Sequence, residues 1–383
     1  MAKRKRVLIP YSYNENWIGG TYYIHNLILA LQQLPSDKQP EIYIHSDTES
    51  EFEQIKNIVS YSHLYKFELK EKHFSIIERI INKISRLITN HNLINNPFGY
   101  KPIDAVFPVT KKSEYFEYIA PVIYWIPDFQ SYYYPEYFSD EDLQKREDNN
   151  TAISHSKGIL VFSSEAAKRD FYKFHPDATI PVAVLPFAVT LQEFSSLNFG
   201  QIKNKYDILK EYFFCPNQFW VHKNHKVILE AVKILKNKGI EILVLFTGQE
   251  NDYRFASYVD DLKKYVQEND LSDNIKFLGF IDRREQLKLM EQAIAVIQPS
   301  LFEGWSTVVE DAKAMNKFII LSDIDVHKEQ ISNNCLFFQS DSAIDLADKI
   351  DRFKNNKQDI LTTNYNILVK NFANDFMKVM HKI

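Results

Sequence analysis

Apolar residues recur along this chain in two rhythms that take turns. Compact apolar runs at residues 7–13, 41–46, 104–109, 122–126, 158–162 and 180–189 have the length of buried strands. Between the first two runs, Ile24, Leu27, Ile28, Leu31 and Leu34 fall at helical spacing, and from residue 163 Ser163-Ser164-Glu165 opens another helix with hydroxyl capping and an early acid. Residues 191–203 break the rhythm and read as a linker. The alternation then restarts, with strands at 212–215, 240–247, 275–280, 294–298 and 318–321. Helices follow at 225–236, 256–268, 284–292, after Thr307, and at 342–353. Strands that alternate with helices imply parallel sheets covered on both faces. The expected class is therefore α/β: two doubly wound, Rossmann-like domains facing a central cleft, 1–190 and 204–363, with ligands held where strand C-termini face each other.

One helical stretch carries a second message. Across residues 74–94, Ile76, Ile77, Ile80, Ile81, Ile84, Leu87 and Ile88 keep helical spacing beside Arg79, Lys83 and Arg86. Such a basic amphipathic helix either covers one face of a sheet or lies on an anionic membrane surface, as a lipid-linked acceptor would require.

The chain has 383 residues, more than a single core usually holds, which agrees with two domains. Its net charge of −4, with acids and bases interspersed, excludes a nucleic-acid partner and favours small ligands. Cys215 and Cys335 each lie in an apolar run, far apart, as buried thiols in a reducing compartment do. No apolar run approaches the roughly 18 residues of a membrane span. The basic cluster at residues 3–6 precedes too short an apolar run for a signal peptide. A cytoplasmic protein is expected, peripheral on the inner face of the plasma membrane if the 74–94 helix docks there.

The candidate chemistry gathers where strands hand over to helices. The stretch QPSLFEGWSTVVEDAKAM, beginning at Gln298, passes from a strand through Glu303 and Gly304 to a helix start near Ser306 and Thr307. Open N–H groups and the helix dipole make such a turn an anion site, with Glu303 on one side and Glu310 and Asp311 on the other to take hydroxyls. In the run PNQFWVHKNH, Lys223 sits at another strand-to-helix handover among Asn217, Gln218, His222 and His225, placed to pair with a phosphate. Gly19-Gly20 lies between a strand and a helix, as either a loop that touches a phosphate or sugar or a flexible turn. Gly248 follows a strand in the same way. Asp128, at the end of a strand, is either a site residue or the cap of the next turn. His222 and His225 lack a third ligand at zinc spacing, and Asp323 and Asp325 read as solvated acids at a strand end. No metal and no cofactor is expected.

Together these motifs resemble a family 4 glycosyltransferase of the GT-B fold, over nearly the whole chain. The carrying residues are Gly19-Gly20, Pro127-Asp128, Ser163-Ser164-Glu165, the CPNQFWVHKNH run, Phe277-Leu278-Gly279 and PSLFEGWSTVVEDA. The branch most similar is that of bacterial mannosyltransferases of surface-polysaccharide assembly. The resemblance implies a nucleotide-sugar donor, GDP-mannose favoured over UDP-sugars, a saccharide or lipid-linked saccharide acceptor, and transfer with retention of configuration. It implies Lys223 on the donor diphosphate, Glu303 on the transferring sugar, backbone N–H groups of Gly304, Trp305, Ser306 and Thr307 on hydroxyls and phosphates, Gly20 over the diphosphate, Gly279 near the base, and Asp128 across the cleft. It also implies that the last helix, within 364–383, crosses back to the first lobe.

Three positions depart from the family pattern. The usual spacing puts the ribose acid at Asp311, yet Glu310 stands beside it. Gln218 replaces an arginine that often precedes the phosphate lysine, and Pro127 replaces a histidine. A nucleotide-sugar epimerase of the same fold, or a binding subunit without turnover, are the competing readings; product without acceptor marks the first, and absence of donor hydrolysis the second.

Overall fold

The computed structural model describes residues 4–14, 17–68, 75–89, 103–252, 254–356 and 358–383. Among these residues the first lobe is built on a sheet of β1 (Arg6–Pro10), β2 (Glu41–His45), β3 (Leu64–Lys66), β4 (Ala105–Val109), β5 (Val122–Trp125), β6 (Ile159–Phe162) and β7 (Val182–Val184). Every pairing is parallel, in the order β3-β2-β1-β4-β5-β6-β7. Its apolar runs are continuous because both faces are buried. Val7, Ile9, Phe107, Ile123 and Val161 point into one core, and Leu8, Val106, Val122, Tyr124 and Leu160 into the other.

The second lobe repeats the plan with β8 (Phe213–Cys215), β9 (Val244–Phe246), β10 (Ile275–Phe277), β11 (Val296–Gln298), β12 (Ile319–Ser322) and β13 (Cys335–Phe338), in the order β10-β9-β8-β11-β12-β13, again all parallel. Strand order reverses between β1 and β4 in one sheet and between β8 and β11 in the other. Crevices open at the strand C-termini of such switch points, and here the two face each other. The loops after β1, β5, β8, β9 and β11 accordingly supply the cleft.

Two boundaries differ from the sequence reading. The linker at 191–203 contains the start of a helix, Phe199–Lys205, whose first turn is capped by Asn198 Oδ1 accepting from Gln201 N at 3.2 Å. Its Ile202 is buried with Phe214 and Leu245, so the second lobe begins before residue 204. Gly19 and Gly20 do not precede the first helix but lie in its first turn, Ile18–Gln32. The basic amphipathic helix spans Ile76–Thr89; residues 74 and 90–94 of that expectation lie outside the described residues.

The last helix, Asn366–Met380, packs on the first lobe. Phe376 meets Phe107 at 5.2 Å and Phe372 meets Tyr23 at 5.9 Å between ring centroids. Between the lobes, the Tyr365 hydroxyl accepts from Val189 N at 3.0 Å, tying together the two segments that cross.

Candidate active site

The second lobe's half of the cleft is organised by one buried amide. Gln298 ends β11, and its Oε1 accepts from Asn217 Nδ2 at 2.7 Å. Its Nε2 donates to Glu303 Oε1 at 2.8 Å and to Ser306 Oγ at 3.1 Å. A buried amide must find partners for both ends, so Gln298 locks the loop after β8 to the loop after β11. The Glu303 carboxylate also accepts from Lys223 Nζ at 2.7 Å. Lys223 and Glu303, 80 residues apart, thus meet in the cleft as a nearly buried ion pair. An ammonium has three N–H donors, so Lys223 retains two for an incoming anion.

Ser306 caps the helix Thr307–Ala314, its Oγ accepting from Val309 N at 3.4 Å. Its own N–H is committed to Gln330 Oε1 at 3.1 Å. This corrects the expectation that Ser306 N–H serves the ligand: the N–H groups without an intrahelical partner by position are those of Thr307 and Val308, and both residues line the cleft.

The adjacent acids separate completely. Asp311 lines the cleft, and both its oxygens accept from Arg283 Nη2 at 2.6 Å. Glu310 faces the interior. Its Oε1 accepts from Lys313 Nζ at 2.7 Å and Gln330 Nε2 at 2.9 Å, and its Oε2 accepts from the Tyr365 hydroxyl. The inclusion of Glu310 among donor-binding residues is therefore corrected: successive helical residues point about 100° apart, and only Asp311 faces the ligand side.

Glycine is required where the lobes meet at Gly304 and where two loops of the second lobe meet at Gly248. A Cβ on Gly304 would lie 2.0 Å from the Pro127 carbonyl oxygen of the first lobe. Gly248 has φ +153°, and a Cβ there would lie 2.1 Å from the Asn217 carbonyl oxygen. Its N–H donates to the Gly279 carbonyl at 2.9 Å, which gives Gly279 a supporting place behind the cleft; Phe280 and Ile281, its neighbours, line the wall instead.

From the first lobe come Gly19, Gly20, Asp128 and a set of aromatic rings. Asp128 Oδ1 accepts from Gln130 N at 3.0 Å, so it caps its turn and lines the cleft at once. Trp17, Trp125 and Tyr23 stack in series at 5.7 and 4.1 Å. Trp305 donates from Nε1 to the Phe187 carbonyl at 3.0 Å, fastening the lobes beside the cleft.

Of the expected donor residues, Asn217, Gln218 and His222 also line the cleft. Burial pushes the His222 ring well below its ordinary pKa, as nearby Lys223 and Arg254 also do, so it stands neutral. His225 is buried against Phe219, ring centroids 4.4 Å apart, and is pushed down to about 3. Among the described residues no three metal-ligating side chains converge. Asp325 instead pairs with Arg169 across the lobes at 3.2 Å, and Asp323 with Lys328 at 3.8 Å.

Sequence reasoning missed Arg283, Gln298 as a hub, and the aromatic set. Arg283 and Arg284 are neighbours at a helix start, and nothing local separates them: Arg284 pairs with Asp282 at the surface while Arg283 turns inward.

Two parallel α/β lobes and this cleft define a GT-B fold. Residues 200–370 match the family model described as glycosyl transferases group 1. The chain is 25% identical over 240 residues to the O-antigen chain mannosyltransferase RfbU of Salmonella typhimurium. It is 27% identical over 175 residues to the N,N'-diacetylbacillosaminyl-diphospho-undecaprenol alpha-1,3-N-acetylgalactosaminyltransferase of Campylobacter jejuni. Those alignments take in 60% and 42% of this chain, and 63% and 43% of the relatives' lengths. Among solved structures, Anabaena HepE in complex with UDP and glucose superposes with a TM-score of 0.68 at 13% identity, over 99% of this chain and 100% of that one. Among the described residues no helix is long and apolar enough to cross a membrane.

Proposed function

We propose that this protein is a retaining glycosyltransferase that moves a hexose, mannose favoured, from a nucleotide-sugar to a saccharide or lipid-linked saccharide in surface-polysaccharide assembly. The observation that carries the reading is the meeting of Lys223 and Glu303 at 2.7 Å beside the open N-terminus of the helix Thr307–Ala314, across from Asp128. Relatives that act on polysaccharide and lipid-linked substrates support the substrate class, and RfbU supports mannose, hence GDP-mannose as first donor to try.

In this reading the acceptor hydroxyl oxygen bonds to the anomeric carbon on the face from which the diphosphate departs. The bond from that carbon to the diphosphate oxygen breaks, and a diphosphate oxygen takes the hydroxyl proton. Lys223 and the N–H groups of Thr307 and Val308 stabilise the charge that grows on the diphosphate, and they need no metal to do so. Glu303 holds the sugar hydroxyls and Asp311 the ribose. The test is donor turnover by the purified protein with GDP-mannose and UDP-hexoses. Lys223→Ala is expected to lose two or more orders of magnitude in rate; a rate near that of the native protein would overturn the assignment.

The acceptor reading extends to the helix Ile76–Thr89. Ile76, Ile77, Ile80, Ile81 and Ile84 are exposed, Ile76 at 77%, whereas Asn82 and Ser85 are buried. An exposed apolar stripe beside exposed Arg79 and Lys83 matches an anionic lipid surface. Co-sedimentation with phosphatidylcholine vesicles containing phosphatidylglycerol is the expected result. Self-association through this helix, with no vesicle binding, would replace the membrane by a second copy.

A further inference from the structure

We propose that Arg283 is a positioning residue for the nucleotide: it fixes the Asp311 carboxylate as the receptor for the ribose hydroxyls. The proposal rests on the donor reading above and concerns the same cleft.

Both Asp311 oxygens lie 2.6 Å from one guanidinium nitrogen of Arg283. The guanidinium is itself anchored: Nη1 donates to Gln286 Oε1 at 2.7 Å, and Gln286 Nε2 donates to Thr247 Oγ1 at 3.3 Å, just past β9. Its face is covered by the Tyr22 ring of the opposite lobe at 5.1 Å. Arg283 is thus held on three sides, by the second sheet, by Asp311 and by the first lobe.

This arrangement distinguishes two roles an arginine in a donor cleft can take. A phosphate ligand needs N–H donors aimed at the anion, whereas Nη2 of Arg283 is directed at Asp311 and Nη1 at Gln286. Each carboxylate oxygen has two lone pairs, so Asp311 keeps one acceptor position on each oxygen after Arg283 is satisfied. A vicinal diol offers two O–H donors to those two positions. Arg283 therefore leaves Asp311 able to bind ribose, removes its rotational freedom and keeps it charged although it is buried. Aspartate is one methylene shorter than glutamate, and a single guanidinium nitrogen that meets both its oxygens holds the short side chain in place. Because Tyr22 caps the guanidinium, this geometry is complete only when the lobes are together.

The experiment is calorimetric titration of GDP, UDP and ADP, and of their 2',3'-dideoxy counterparts, into the full chain and into Arg283→Gln and Arg283→Lys. For whichever nucleotide the native chain binds, Arg283→Gln is expected to weaken the ribonucleotide roughly tenfold or more. The dideoxynucleotide is weaker from the start, and the substitution is expected to change it less than about twofold. Arg283→Lys should rescue only in part, because an ammonium can meet both Asp311 oxygens through one nitrogen, as Nη2 does, but lacks the second nitrogen that Gln286 anchors. Asp311→Asn combined with Arg283→Gln should lose no more than Asp311→Asn alone. Equal losses for ribo- and dideoxynucleotide would overturn the proposal and move Arg283 to the phosphate or base, and no loss for either would overturn it outright. Failure of the native chain to bind any of the three would instead overturn the donor reading on which it rests. Should Arg283→Gln fail to fold, the lysine variant carries the same comparison.

Discussion

Glu310 and Asp311 are one residue apart and have opposite work. Glu310 accepts from Lys313, Gln330 and Tyr365 in the interior, so Glu310→Gln should lower thermal stability by about 2 kcal/mol or more by unbalancing a buried network. Its nucleotide affinity should stay that of the native chain. Asp311→Asn should weaken nucleotide binding about tenfold and also lower stability, because it leaves Arg283 without its counter-charge; nucleotide titrations on both variants separate the two. Gly304 offers a second residue-scale prediction. A methyl group 2.0 Å from the Pro127 carbonyl oxygen must force the lobes apart by a fraction of their contact. Gly304→Ala is expected to cut transfer about 100-fold through misplaced groups, with a melting temperature close to that of the native chain. A fully active Gly304→Ala protein would mean the lobes react without this contact.

At the scale of elements, the helix Ile76–Thr89 inverts the usual order, with Ile76, Ile77, Ile80, Ile81 and Ile84 outside and Asn82 and Ser85 inside. Ile77→Gln with Ile80→Gln should leave stability within about 0.5 kcal/mol, because neither side chain is buried on folding. The same pair should abolish co-sedimentation with anionic vesicles. Unchanged vesicle binding would relieve this helix of the role. The helix Thr307–Ala314, capped by Ser306, does the opposite: its eight residues place two open N–H groups and one cleft acid, while its other acid holds the crossing segments.

For the whole molecule, closure is built from small cross-lobe contacts. Glu329 accepts from the N–H groups of Glu165 and Ala166 at 2.7 and 3.0 Å, Trp305 donates to Phe187, and Arg283 lies against Tyr22. Buried histidines in both lobes tie stability to pH. Burial pushes His25 down to about 4, His225 to about 3 and His327 to about 4, from an ordinary value near 6.5. Below 6.5 the unfolded chain takes up protons that the folded one refuses, so their stabilisation is complete above that pH and is lost as pH falls toward 4. Each contributes at most about 1.4 kcal/mol per pH unit in that window. Melting temperature should therefore fall steeply between pH 6 and 4, and His25→Gln should flatten part of the slope. A flat profile would show these rings charged in the folded protein.

The sequence by itself determined the two doubly wound lobes, because buried parallel strands demand continuous apolar runs and their covering helices demand a 3.6-residue period. It also placed Lys223, Glu303, Gly304 and Thr307, since handovers from strand to helix are visible in local pattern. Short-range pattern could not say which of Glu310 and Asp311 faces the cleft, because that depends on how the helix is rotated by Gln330, Tyr365 and Arg283, all distant in sequence. Nor could it find Arg283, which lies against Tyr22 of the other lobe, or the hub at Gln298, whose partner Asn217 is 81 residues away. Gly304 was legible as a turn residue, but its close approach to Pro127 exists only once two separately folded lobes are brought face to face.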